Sequence, residues 1–391
     1  MNVGSGRIGR LLGMVVWLCL PLAVGCAGFF PKTTSTSSST TTNTGDYAYV
    51  ASAYVNGSKT VYTLSGYTVG TAALTELSGF PITLSVLPSS VVINPANTFL
   101  YVAGEGEIYG YSISSAGALT AISANNSSIL AEANVVSMDI SPDGNWLLAL
   151  DSDGVTIDEF QIASDGLLTA ATGTSYTVTS GGTIVPTSLR FAPTTSNSFL
   201  AISLGTGGDL LYTFNTSTGV LTEDVQVNVP TTASSDQALT FNAAGTILYI
   251  ARSGTDGGVV VYTIGSGGAL TLVTGSPFAT GNGPASMVID KTGDYLYVGN
   301  KVDGTISGFS IATTGVLTAL SGSPYASGAD VSALGRDNSG DYILSANLGG
   351  SPDVSMYSFD ATALGKLDSS TTAATGDPNE PAGALAIALM H

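Results

Sequence analysis

Apolar and polar residues alternate along this chain in short runs of about four to six, which is the period of a strand and not of a helix. Six such runs begin with Ser or Ala and start a repeating unit: Ser90-Val91-Val92-Ile93, Ser137-Met138-Asp139-Ile140, Ser188-Leu189-Arg190-Phe191, Ala238-Leu239-Thr240-Phe241, Ser286-Met287-Val288-Ile289 and Ser332-Ala333-Leu334-Gly335. In the first five the second and fourth positions are apolar and the third varies; the sixth, in DVSALGRD, is degenerate and leaves its register open. A small first residue suits strands that crowd toward a common axis.

A Pro- or Gly-centred turn follows each run, as at Asn94-Pro95 and Ser141-Pro142-Asp143-Gly144. A second strand comes next, of the kind Leu100-Tyr101-Val102, Leu248-Tyr249-Ile250 and Leu296-Tyr297-Val298. A third carries an aromatic residue, as in Tyr111-Ser112-Ile113, Phe160-Gln161-Ile162 and Tyr212-Thr213-Phe214. β-branched and aromatic residues fit a pleated, half-buried surface. A fourth, short strand starts at a Gly-x-Leu-Thr-like corner that recurs seven times, with leucines at 74, 119, 168, 221, 270, 317 and 367, at intervals of 45, 49, 53, 49, 47 and 50. Four strands per period of that length make one blade of a β-propeller.

The count of seven closes only across the ends. Tyr47-Ala48-Tyr49-Val50 reads as a second strand without a first, and Ala384-Leu385-Ala386-Ile387 supplies the missing one. The expectation is an all-β, seven-bladed propeller over residues 46–391, closed by its C-terminal strand, which leaves no exposed sheet edge.

The N-terminal pattern is different. Arg7 and Arg10 precede an apolar stretch from Leu11 to Leu20, and Leu22-Ala23-Val24-Gly25-Cys26 follows. The stretch is shorter than the ~20 residues that span a bilayer, so residues 1–25 read as an export signal. Small residues before a cysteine are similar to the lipobox of bacterial lipoproteins, which makes Cys26 the expected lipid attachment site and the cell envelope, at the outer membrane, the expected location. An ordinary secretory signal is the competing reading. Residues 26–45 form a linker; its Lys32–Gly45 part has no apolar residue and reads as a tether, reaching at most about 46 Å at ~3.3 Å per residue. Cys19 and Cys26 are the two cysteines, so residues 46–391 have neither disulfide nor thiol chemistry.

Charge narrows the partners. Without Arg7 and Arg10 the chain has 8 basic against 28 acidic residues. Such a surface repels phosphate backbones and excludes nucleic acid as a partner. The remaining expectation is a monomer, held at the membrane by its lipid, that binds a small molecule, a glycan or an envelope protein.

The LYV-type second strands, the Gly-x-Leu-Thr corners and two blade ends, Gly275-Ser276-Pro277-Phe278 and Gly322-Ser323-Pro324-Tyr325, resemble the seven-bladed lactonase propellers, the family that includes the 6-phosphogluconolactonase-like proteins and muconate cycloisomerases. The resemblance spans residues 46–391. It implies chemistry by His, Glu and Arg converging on one face. This chain departs from that set: where family members often carry His-Pro it has Asn94-Pro95, Ser141-Pro142 and Ala192-Pro193, and its sole histidine is His391. His391 is expected to be a frayed terminus, away from the pocket.

What remains is polar side chains on the loops entering the inner strands and joining second to third strands, which share one rim. These include Glu132, Asn134, Asp236, Gln237, Asp330, Asn379 and Glu380, with Glu105, Glu107, Asp256, Asn300 and Asn347. Asp236, Glu132 or Asp330 is placed to activate water and Arg252 or Lys301 to hold a lactone or carboxylate, against the plain alternative of solvated loops. The favoured role is ligand or partner binding without the family's histidine; the alternative is a lactone hydrolase or cycloisomerase with an acid/Arg site. Asp139 and Arg190, at the same position of neighbouring inner strands, are expected to form a structural ion pair. No cofactor is expected, with calcium as the alternative: Asp151-Ser152-Asp153-Gly154 opens like a calcium loop, although Ile162 stands where its final Glu belongs.

Overall fold

A computed structural model describes residues 45–391 apart from 71–72, 124–128, 131–133, 153–155, 172–175, 178–182, 196–197, 228–232, 351–352 and 376–382. The export signal, Cys26, the tether, Glu132, Asp153, Asn379 and Glu380 lie outside the described residues.

Seven antiparallel sheets follow one another around a central axis. Blade two is typical: inner strand Ser90–Ile93, second strand Phe99–Gly104, third strand Glu107–Ile113, outer strand Leu119–Ala121. Blades three to seven begin with inner strands Val135–Ile140, Ser188–Phe191, Ser234–Phe241, Pro284–Ile289 and Val331–Arg336. The sixth repeat, open in the sequence, takes the common register, with Val331 opposite Asn347 and a bulge before Ala333.

Blade one joins the ends of the chain. Gly383–Leu389 is its inner strand and pairs antiparallel with Tyr47–Asn56, which pairs in turn with Lys59–Val69. Met390 is fully buried and its N–H donates to the Tyr47 carbonyl (3.0 Å). His391 is pinned, not frayed: its N–H donates to Asn97 Oδ1 (3.1 Å) and its carbonyl accepts from Asn97 Nδ2 (2.7 Å).

The two strongest sequence motifs hold each other. The tyrosine of the second strand donates to the carbonyl of the corner glycine one blade on: Tyr49 to Gly117 (2.8 Å), Tyr101 to Gly166 (2.8 Å), Tyr297 to Gly365 (2.6 Å). In blade three Leu148 stands at this position, and Trp146, two residues earlier, donates instead to the Thr216 carbonyl of blade four (2.8 Å). Gly166 needs its lack of a side chain, since φ is +85° there and a Cβ would sit 2.6 Å from the Phe99 ring. Tyr249, fully buried, makes no hydrogen bond through its hydroxyl.

In blades two, three, five, six and seven the residue just after the inner strand caps the turn through its side chain. Asn94 Oδ1 accepts from the Phe99 N–H, Ser141 Oγ from Trp146, Asn242 Oδ1 from Ile247, and Asp337 Oδ1 from Tyr342. These are the positions where the family resemblance looks for His. Here they satisfy backbone on the rim opposite the inner-strand entry loops.

The core lies between blades. Each third strand sends one aliphatic side chain into the seam with the next blade: Leu64, Ile108, Ile157, Val259, Ile306 and Val354, all at most 1 % exposed. The seventh such position, in blade four, is Asp209.

Candidate functional site

Asp209 begins the third strand of blade four, opposite Ser203, as Ile108 stands opposite Ala103 and Val259 opposite Ala251. It is 2 % exposed, and neither carboxyl oxygen finds a hydrogen-bond partner among the described residues; the Ser203 hydroxyl beside it is also unpaired. A buried carboxyl at an aliphatic position is costly unless something uses it. Sequence reasoning on loop residues passed it by, because it lies on a strand. Its signal is the spacing: three residues before the third-strand aromatic every other blade has Leu, Ile or Val.

Across the seam, blade five adds two more charges. Asp236, fully buried, stands directly opposite Arg252; the corresponding residues in blades three, six and seven are Val135, Pro284 and Val331. Arg252 Nε donates to Asp236 Oδ1 (2.6 Å) and Nη2 to Oδ2 (2.8 Å), the two-pronged geometry that suits a guanidinium. The Asp236 N–H donates to the Gly205 carbonyl and its carbonyl accepts from Thr187 Oγ1 (2.9 Å), so blade four fixes its backbone. Two of the expected site residues are thus brought together, with Asp209 as an unforeseen third.

The electrostatics sort their states. Burial first, then the neighbouring Asp236 carboxylate, pushes Asp209 well above the ordinary carboxyl range, which favours its neutral form. Burial alone would lower the Arg252 pKa, but its bonds to Asp236 outweigh that and the guanidinium stays charged. The cluster therefore holds one internal ion pair beside a buried carboxyl whose neutral form is favoured.

Arg252 also borders open space on two sides. A polar cavity of about 140 Å³ lies beside it under Gly254, Gly258, Thr280, Asn282 and Pro284. A second, of about 290 Å³, is walled by Val260, Tyr262, Leu272 and Pro277, with Asp256 and Ser276. Asp236 occupies Nε and Nη2, and Nη1 makes no hydrogen bond among the described residues. Arg252 can offer that donor to a ligand.

The other expected residues are placed elsewhere. Lys301 and Asp330 meet at 3.5 Å between blades six and seven, both partly exposed, which is a weak surface pair. Asp139 and Arg190 do not form the direct ion pair expected of them. The Asp139 carboxylate accepts the N–H of Ile140 (2.9 Å) and Phe191 (2.8 Å), while Arg190 Nη1 donates to the Met138 carbonyl (3.2 Å) and projects into the axial channel. Backbone amides of the next inner strand compete for that carboxylate and win on proximity. Asp151 is buried and accepts from Thr156 Oγ1 (2.7 Å). Among the described residues no cluster of His, Cys, Asp or Glu is arranged to hold a metal.

Comparison with known proteins agrees with the architecture. A family model, lactonase, 7-bladed beta-propeller, matches residues 47–253 and 251–384. No curated protein sequence matches. Among solved structures, a Bacteroides fragilis protein provisionally assigned as a 6-phosphogluconolactonase superposes with TM-score 0.71 at 18 % identity, covering 90 % of this chain and 99 % of its own. The periplasmic gluconolactonase PpgL of Pseudomonas aeruginosa gives 0.67 at 16 % identity, covering 87 % and 99 %. A Lactobacillus plantarum protein gives 0.65 at 16 %, covering 89 % and 100 %. At these identities the likeness speaks for the fold.

Proposed function

The chain belongs to the seven-bladed β-propeller lactonase family, and from that premise we propose that it binds a small neutral lactone in the seam between blades four and five, with Arg252 as the anchoring donor. The observation that carries this is the charge cluster itself. Asp209 and Asp236 sit where other blades bury apolar side chains, and such a cluster is kept at a cost in stability. Charge balance selects the ligand. Asp236 already cancels Arg252, so the guanidinium offers an N–H donor without net positive charge. A lactone carbonyl needs donors only; a free carboxylate also needs a counter-charge, and the acidic surface repels it.

Turnover is the second reading. Hydrogen-bond donors around a carbonyl are what a developing oxyanion requires. Asp236, however, is held by both prongs of Arg252 and Asp209 is buried in the seam, while the remaining carboxylate at the cavity, Asp256, sits on an exposed turn. Binding is therefore favoured over hydrolysis.

The test is calorimetric titration of the full-length chain with δ-valerolactone and its hydroxy acid, with a pH-stat assay in parallel. The lactone should bind, the acid should bind at least tenfold more weakly, and Arg252→Gln should lose the lactone. Equal affinity for both would remove the charge argument. Steady acid release, absent in the Arg252 variant, would make the protein a hydrolase.

We propose the envelope anchor on the sequence alone: Cys26 after a small-residue run, then a Ser/Thr tether long enough to clear headgroups. Cys26→Ser should move the protein from the membrane to the soluble fraction; unchanged fractionation would overturn the anchor.

A further inference from the structure

The two cavities beside Arg252 differ in chemistry, and the larger one is apolar. Val260 and Tyr262 pack with Leu211 and Ala201 of blade four, so this cavity lies on the blade-four-facing side of blade five, below the guanidinium. Leu272 on the outer strand and Pro277 on the following segment complete its wall; Leu272 is 52 % exposed, unusual for a leucine in a strand. Burial pushes the Tyr262 phenol up, so it stays un-ionised beside the charged cluster. Apart from Arg252 at one end, only Asp256 and Ser276 are polar here.

We propose, on the reading that Arg252 anchors a lactone carbonyl, that the ligand carries a hydrocarbon chain lying along Val260, Tyr262, Leu272 and Pro277. The class is an alkyl-substituted lactone, not a polyhydroxylated sugar lactone. Size agrees: about 290 Å³ is room for roughly ten water-sized groups at ~30 Å³ each. A ring of six or seven heavy atoms with a short alkyl tail fills it, with the carbonyl at the guanidinium. A sugar lactone would instead set several hydroxyls against aliphatic and aromatic walls, where they lose water without gaining partners.

The test is a homologous series on the full-length chain: δ-valerolactone, δ-hexalactone and δ-octalactone, with δ-gluconolactone as the polar comparison. Each buried methylene should tighten binding about threefold to fourfold, so δ-octalactone should bind at least tenfold more tightly than δ-valerolactone. Leu272→Asp, at an exposed position that leaves the core intact, should flatten the series; Leu272→Ser checks that the added charge is not the cause. A flat series in the unmodified protein, or δ-gluconolactone as the tightest ligand, overturns the hydrocarbon subsite while leaving the Arg252 anchor standing. Absence of binding by any lactone to folded protein overturns both.

Discussion

Arg252 and Asp236 face each other directly across the first two strands of blade five, sixteen residues apart in sequence, and close a two-pronged pair at 2.6 and 2.8 Å with both side chains almost wholly out of water. Removing one partner leaves the other charged and buried. Arg252→Ala should therefore destabilise by about 3–5 kcal/mol, whereas replacing both, as Asp236→Leu with Arg252→Met, should recover most of that loss and still abolish ligand binding. Urea denaturation of the two variants beside the unmodified protein decides it. Equal stability of the single and double replacements would mean that the pair is not held as seen.

Asp209 gives the fold a pH dependence of definite sign. Its folded-state pKa is raised, so the folded protein holds this proton more tightly than the unfolded chain. Its contribution is fully present below about pH 4 and is lost as pH rises toward the folded value. Asp46 acts in the same direction, pushed up to about 6 by burial and by Asp337. Asp209→Asn should raise stability at pH 8 more than at pH 4 and should leave the smaller Asp46 slope between about 4 and 6. A variant whose stability gain is the same at both pH values would show that Asp209 is ionised in the fold.

The tyrosine stitches supply their own control. Tyr101→Phe deletes a buried bond and strands the Gly166 carbonyl, at an expected cost of about 1–2 kcal/mol. Tyr249→Phe deletes a hydroxyl that bonds to nothing, so it should be neutral or slightly stabilising. Thermal melts of the two variants side by side test the relation, and a Tyr249 variant that melts as low as the Tyr101 variant would contradict it.

Residues from Gly383 onward complete blade one, where Ala384, Ala388, Leu389 and Met390 are buried. A chain ending at residue 382 leaves the inner edge of Tyr47–Asn56 unpaired, and such an edge recruits other chains. It should aggregate on purification. A soluble truncated protein with a single cooperative melt would refute ring closure as the stabilising step.

Much of this architecture was readable because a propeller repeats its instructions. The Leu-Tyr-Val-like strands and the Gly-x-Leu-Thr-like corners stand out as repeated near-copies, and the structure shows one reason they occur together: at three seams the tyrosine donates to the corner glycine of the next blade. The pairing of 47–50 with 384–387 followed from counting strands. Arg252 and Asp236 were recognisable as candidates on one rim, although that they bond only to each other depends on a register set by a bulge between Asp236 and Ala238. Asp209 was hidden among strand residues; only a comparison in register, with Ile108, Ile157 and Val259, makes its carboxyl conspicuous. The Asp139–Arg190 pair misled because adjacency around an axis brings backbone amides as close as side chains.

Blade one also bears on how the ring is cut. Ala48 lies directly opposite Leu389, so the two ends of the propeller run side by side within one sheet. Among the described residues the seams on both sides of this blade are filled with apolar side chains, as they are elsewhere around the ring except at Asp209. A short linker joining the ends, with a new opening made at the Gly293 turn of blade six, would give the same disc with its strands in rotated order. The Asp209–Asp236–Arg252 cluster between blades four and five would then lie near a terminus without any of its residues having moved.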